Sequence, residues 1–418
     1  MTRQGPVWLF VSYGGGHVKA LLPVARRVRE LGIARPVYLA LTTAAAEVRG
    51  SGLETLGFGD FLLPDEHRAR AIGQDLAAQL AAPAAQHDES VAYLGLSYVD
   101  MEVRLGAAGA AAAYEKYGRQ AFMPLGILTR VLEQYRPALV VATNSPRAER
   151  AAIEAARAAG IASVCLVDLL GIWERQWLVR PDYADALCVL NEGVRTSLVQ
   201  AGRPGGDVHV TGNPAFDTLH DPALRIQGEQ TRAGLGWENL HVCLYASSPE
   251  PEQVDRIEGR GDPEFPRRVE AALIQAVRDN PGLALWIRRH PSEPVPTPVL
   301  AQGHPRIRIS TAEMHLHACL HASDEVIVTV STVGVEASLA GKFVTQVRGS
   351  ILDHLSPYLE MGLADRVLSL DQIGPAYGHA SRVAFVDGPR TLRVTPTGSA
   401  AQRVVEVLQS VRERADAR

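Results

Sequence analysis

Short apolar runs alternate with longer amphipathic stretches along almost all of this 418-residue chain. The runs VWLFVS (7–12), VYLALTT (37–43), ALVVATN (138–144), ASVCLVD (162–168), ALCVLN (186–191) and VHVTGN (208–213) predict strands. They are rich in Val, Leu and Ile and show little polar alternation, the pattern of strands covered on both faces of a parallel sheet. Between them lie helix-like segments such as ALLPVARRVREL and RAERAAIEAARAAG, the second ending on Gly160 as a C-cap.

After Asn213 the pattern breaks into a stretch rich in Pro, Gly and charge, and then a second series begins. Its strands are HVCLYASS (241–248), LALWIRRH (283–290), RIRIS (306–310), EVIVTVS (325–331) and FVTQVRG (343–349). Two such series predict an α/β protein of two doubly wound domains facing each other across a cleft. The expected bounds are 1–213 and 214–396, with 397–418 a terminal amphipathic helix. Residues from about 65 to 125 fit neither series; they are rich in alanine and predict a helical insertion, either scaffold or the wall of an acceptor pocket.

Composition narrows the picture. The length suits two domains of about 200 residues each. A net charge of −4 offers no reason to expect nucleic acid as a partner. Cys165, Cys188, Cys243 and Cys319 are far apart in apolar runs, so they read as reduced core residues of a cytoplasmic protein. The N-terminal apolar segment is too short for a signal peptide, and no run approaches a membrane span, so any membrane contact would be peripheral.

In open α/β sheets, ligands bind outside the carboxyl ends of the strands. The unusual residues of this chain fall at those ends. SYGGGHVK follows the first strand: Gly14, Gly15 and Gly16 would let the backbone approach a ligand, and His17 is placed for acid–base work. The same stretch also reads as a plain tight turn, and it is neither a G-x-G-x-x-G nor a Walker pattern. RRHPSEP puts Arg288, Arg289 and His290 at the end of a buried strand, a compact anion site closed by Pro291. STVGVEASLAGK gives Ser331 or Thr332 as a helix cap, Gly334 and Glu336 in the first turn, and free N–H groups for a phosphate. Ser247 and Ser248 would touch a diphosphate, while Gly212 and Asn213 form a hinge turn at the domain junction. His315, His317 and His321 include an i, i+4 pair of metal-ligand spacing, but no third ligand can be assigned and no metal is expected.

Taken together, these motifs resemble the GT-B glycosyltransferase superfamily, which also contains UDP-GlcNAc 2-epimerases. GGHVKALLPVARRVREL is similar to the N-terminal loop and helix of the lipid II-forming GlcNAc transferases, and VHVTGNPAFDTL to the end of the first domain in 2-epimerases and Kdo transferases. RRHPSEP resembles the His-Pro motif of Kdo, sialyl and glycerophosphate transferases, and STVGVEASLAGKFV the shared donor-binding helix. The resemblance implies two Rossmann-like domains and a metal-independent, cofactor-free glycosyltransferase of bacterial surface-glycan assembly. A nucleotide sugar, UDP-linked or else CMP-linked, would lie on Ser247, Ser248, Arg289, His290, Ser331, Thr332, Gly334 and Glu336, with Gly15 and Gly16 also toward the donor. His17 would be the base for a glycan or lipid-linked acceptor. The Gly-Thr-Arg-Pro-Glu and His-Arg-Arg-Glu-Asn motifs of the epimerases are replaced by SYGGGHVK and YASSPEPE. An epimerase-like enzyme or a non-catalytic nucleotide-sugar-binding protein are the alternatives on the same fold.

Overall fold

A computed structural model describes residues 5–79, 87–254, 257–290, 292–293, 301–310, 314–378 and 399–417. Pro291 therefore lies outside the described residues. The chain divides into two compact units, Met1–Asp217 with Pro396–Arg418, and Thr218–Thr395. The expected junction at Gly212–Asn213 falls inside the first unit, a few residues before the division.

The first unit is built on a seven-stranded sheet in the order β3-β2-β1-β4-β5-β6-β7. Its strands are β1 (Val7–Ser12), β2 (Arg35–Ala40), β3 (Glu54–Leu56), β4 (Leu139–Thr143), β5 (Ser163–Leu166), β6 (Ala186–Val189) and β7 (Val208–Val210). The second unit holds a six-stranded sheet in the order β10-β9-β8-β11-β12-β13. Its strands are β8 (His241–Ala246), β9 (Leu283–Arg288), β10 (Ile307–Ser310), β11 (Glu325–Val328), β12 (Phe343–Val347) and β13 (Arg366–Leu368). All pairings are parallel. Strands buried on both faces explain the apolar runs: all five residues of β4 and all four of β11 are buried.

In each sheet the strand order reverses once, between β1 and β4 and between β8 and β11. Val11 pairs with Ala142, and Ala246 with both Val328 and Arg288. The register therefore brings Ser12–Tyr13 level with Thr143, and Ser247 level with Thr329 and Arg289. Those are the crevices where doubly wound sheets bind ligands.

The helix Gly16–Glu30 turns Val18, Leu21, Leu22, Val24, Ala25 and Val28 into the first core. Helix Ala400–Asp416 joins the same core through Ala401, Val404, Val405, Leu408 and Val411. The Ser399 hydroxyl caps it by accepting from Gln402 N, and Asp217 accepts from the backbone N–H groups of Ala400 and Ala401. The terminal element is thus an integral layer of the first domain, not an appendage. The insertion is helical, His67–Ala77 and His87–Tyr117, and Tyr93 on its second helix reaches Tyr13. All four cysteines are buried and none is in a disulfide. Among the described residues no helix is long and apolar enough to cross a membrane.

Candidate functional site

The loop after β1 needs glycine for two separate reasons. A Cβ on Gly14 would overlap the Thr43 hydroxyl at 1.8 Å, and Gly15 has φ 70° and ψ −135°, a conformation closed to ordinary side chains. The turn delivers His17, half-buried, into the first helical turn. Its Nδ1 lies 2.9 Å from the Thr143 hydroxyl at the end of β4. That hydroxyl also points to Glu149 Oε1 at 3.4 Å, and the same oxygen accepts from Tyr13 N at 2.8 Å. Glu149 is wholly buried and its Oε2 has no hydrogen-bond partner.

A second carboxylate closes the group. Asp168, just past β5, accepts from Asn213 Nδ2 at 3.2 Å, and its backbone N–H donates to Asn144 Oδ1 at 2.7 Å. Its Oδ2 would sit 3.3 Å from a Cβ on Gly16, so this side of the glycine loop faces a carboxylate. The next residue, Leu169, is held at φ 51°, a strained conformation of the kind that gathers at functional sites. Glu174 is also close enough to interact electrostatically with Asp168 and His17. Burial raises the carboxyl pKa of Glu149, Asp168 and Glu174, while a positive charge on His17 would draw each of them back down. Above Tyr13, the Arg147 guanidinium stacks 4.1 Å from the ring, and the Tyr13 and Tyr93 hydroxyls are 2.6 Å apart.

The arrangement can move a proton. If Thr143 donates to Glu149, its lone pair accepts from His17 Nδ1–H, and Nε2 is then the basic nitrogen. Asn213 acts here as a support for Asp168, a role different from the hinge expected of it. Gly212, at φ 75°, packs against Ala400 and Arg403 of the terminal helix.

The second domain gathers hydroxyls and guanidinium groups instead. Ser248 Oγ and Thr329 Oγ1 meet at 3.2 Å across the reversal between β8 and β11. Ser331 weakly accepts from Val333 N at 3.4 Å, whereas Thr332 makes no side-chain cap. Gly334 is buried, where a Cβ would press on Val328 at 2.9 Å; it allows helix Val333–Leu339 to pack closely on the sheet. Glu336 is 2.9 Å from His317 Nε2.

The arginine pair expected at one anion site separates. Arg288 donates to Met314 O at 2.7 Å, while Arg289 is buried and donates to Glu270 at 2.6 Å. His290 stays exposed, with Nδ1 2.7 Å from Ser292 Oγ. Another guanidinium, Arg267, reaches Ser247 Oγ at 2.9 Å.

The three clustered histidines also diverge: His315 caps His317 N, His317 faces Glu336, and His321 bonds Leu219 O. Among the described residues one group has metal-ligand spacing, His241, Cys243 and Glu325, at the opposite end of the second sheet. Arg366 Nη2 and the Tyr377 hydroxyl both donate to Glu325 Oε1 at 2.6 Å, so a guanidinium supplies the positive charge there.

No family model and no curated protein matches the chain. Solved structures do. A UDP-GlcNAc 2-epimerase from Neisseria meningitidis, bound to UDP-GlcNAc, is 14% identical with a TM-score of 0.55, covering 97% of this chain and 100% of that one. CalG4, the calicheamicin glycosyltransferase, is 16% identical with a TM-score of 0.55 over 98% of this chain and 99% of its own. The kitacinnamycin glycosyltransferase is 13% identical with a TM-score of 0.54 over 97% and 99%. At such low identity the likeness speaks for architecture: the chain has the GT-B fold of two Rossmann-like α/β domains.

Proposed function

We propose that the protein is a metal-independent glycosyltransferase that moves a sugar from a nucleotide-sugar donor, UDP-linked by preference, to a glycan or lipid-linked acceptor of bacterial surface polysaccharide. The observation that carries the reading is the His17–Thr143–Glu149 series at the reversal of the first sheet. It leaves His17 Nε2 to take the proton of an acceptor hydroxyl. In an inverting transfer that oxygen bonds the anomeric carbon as the bond to the nucleotide diphosphate breaks. The second domain supplies the donors for the departing phosphate charge, from Ser247, Ser248, Ser331, Arg267 and the backbone N–H of His290. Glu336 is the candidate for donor hydroxyls. Structural likeness to glycosyltransferases and to an epimerase crystallised with UDP-GlcNAc supports a nucleotide sugar as the ligand.

The test is thermal denaturation of the purified protein with a panel of UDP- and CMP-sugars. Stabilisation by one nucleotide class is expected; none from any member would end the proposal. A second reading, a nucleotide-sugar 2-epimerase, is favoured by the three carboxylates near His17, Glu149, Asp168 and Glu174, as groups for proton transfers at a sugar carbon. Incubation with UDP-GlcNAc alone separates the two, since only the second reading yields the epimer without an acceptor.

A further inference from the structure

The structure assigns Glu293 as an internal stand-in for the phosphate of the donor, an inference that rests on the nucleotide-sugar reading above. Its carboxylate is held where an anion would be. Oε1 accepts from Arg267 Nη2 at 2.6 Å and from the Ser247 hydroxyl at 3.2 Å, while Oε2 accepts from the backbone N–H of His290 at 3.1 Å. A guanidinium, a hydroxyl and a main-chain N–H converging on one pair of oxygens form a built anion seat. It lies at the carboxyl ends of β8 and β9, in the crevice region of the second sheet.

Charge shows which partner can leave. Arg267 is paired with both Glu270 and Glu293, and Glu270 is shared with Arg289. Glu270 is 1% exposed on helix Phe265–Asp279 and binds both arginines, which fixes it in place. Glu293 has no second ion pair among the described residues, and its backbone N–H donates to His290 O at 2.9 Å. When its side chain swings out, Arg267 Nη2 loses its carboxylate partner beside Ser247 Oγ and His290 N, and Arg267 keeps only Glu270, which it shares with Arg289. A phosphate group brings a negative charge back to Arg267 and offers its oxygens to the same three donors. Donor binding is thereby coupled to release of Glu293, and the empty protein is protected from capturing weak anions.

Calorimetric titration of the full chain with UDP and with inorganic pyrophosphate tests this. Glu293→Gln and Glu293→Ala should bind both probes about tenfold more tightly than wild type, because neither holds a competing carboxylate in the seat. Arg267→Ala should bind both at least about tenfold more weakly, having lost a charged donor. Wild-type binding of UDP with unchanged affinity in both Glu293 variants would overturn the proposal and leave the nucleotide-sugar reading standing. Tighter pyrophosphate binding in the Glu293 variants, with no UDP binding by any form, would uphold the seat and overturn that reading instead. Should Arg267→Ala fail to fold, the two Glu293 variants decide the question, since Glu293→Gln preserves side-chain shape.

Discussion

The two domains place different chemistry at the same topological position. Where the first sheet reverses, an imidazole is surrounded by carboxylates that burial biases toward their protonated forms. Where the second reverses, hydroxyls meet each other and the nearby ions are matched in number. The first is suited to handling protons, the second to holding an anion. Doubly wound sheets thus dictate where a ligand can bind, while a few residues beyond each strand decide what is done there.

The difference can be broken or sharpened by substitution. His17→Ala has the largest expected effect, a loss of about 10²–10⁴-fold in turnover with nucleotide affinity intact. Equal losses in both would mean that His17 holds the donor. Thr143→Val keeps the shape but removes the hydroxyl; turnover should fall about tenfold and the pH–rate profile should move, since the ring loses its Nδ1 partner. An unshifted profile would exclude Thr143 from setting the tautomer. Ser248→Ala, in the other domain, should weaken UDP binding by about three- to tenfold without altering that profile. A shifted profile there would erase the contrast.

The smallest effect concerns stability. Because burial raises the Glu149 pKa, the folded protein holds that proton more tightly than the unfolded chain. The resulting stabilisation is complete below the unfolded value and is lost as the pH rises through the folded one. Glu149→Gln is uncharged throughout and can still accept from Tyr13 N. Its melting temperature relative to wild type should therefore climb as the pH rises above the ordinary carboxylate range. A difference that does not vary with pH would show that Glu149 gains no proton on folding.

Much of this architecture was legible from apolar periodicity, which marks the buried strands of both sheets. The edge strands β3 and β13 were not, because ETL and RVL each open on a charged residue and leave two positions, too few to display a period. At the site, polar residues ending an apolar run were a usable signal. It marks His17 and Ser247, and Thr143, Asn144 and Asp168 carry the same mark. Glu149, Arg267 and Glu293 had no such sign: two lie on amphipathic helices and one beyond the end of β9, and the bonds Glu149–Tyr13, Arg267–Ser247 and Arg267–Glu293 join segments far apart in sequence. Arg289 illustrates the converse. Its sequence position suggests a phosphate ligand, yet Glu270, one turn after Arg267 on a neighbouring helix, takes its charge.

The terminal helix has a consequence for synthesis. Ala400 N is bound by Asp217, 183 residues earlier, and the helix completes the core that begins at β1. At about 5–20 residues per second, the ribosome makes the intervening stretch in roughly 10–40 s. During that time the first domain stands with Val18, Leu21 and their neighbours incompletely covered, while the second domain has time to form. The domain that starts first is therefore finished last, and a nascent chain stalled before Ser399 would expose a hydrophobic surface to chaperones.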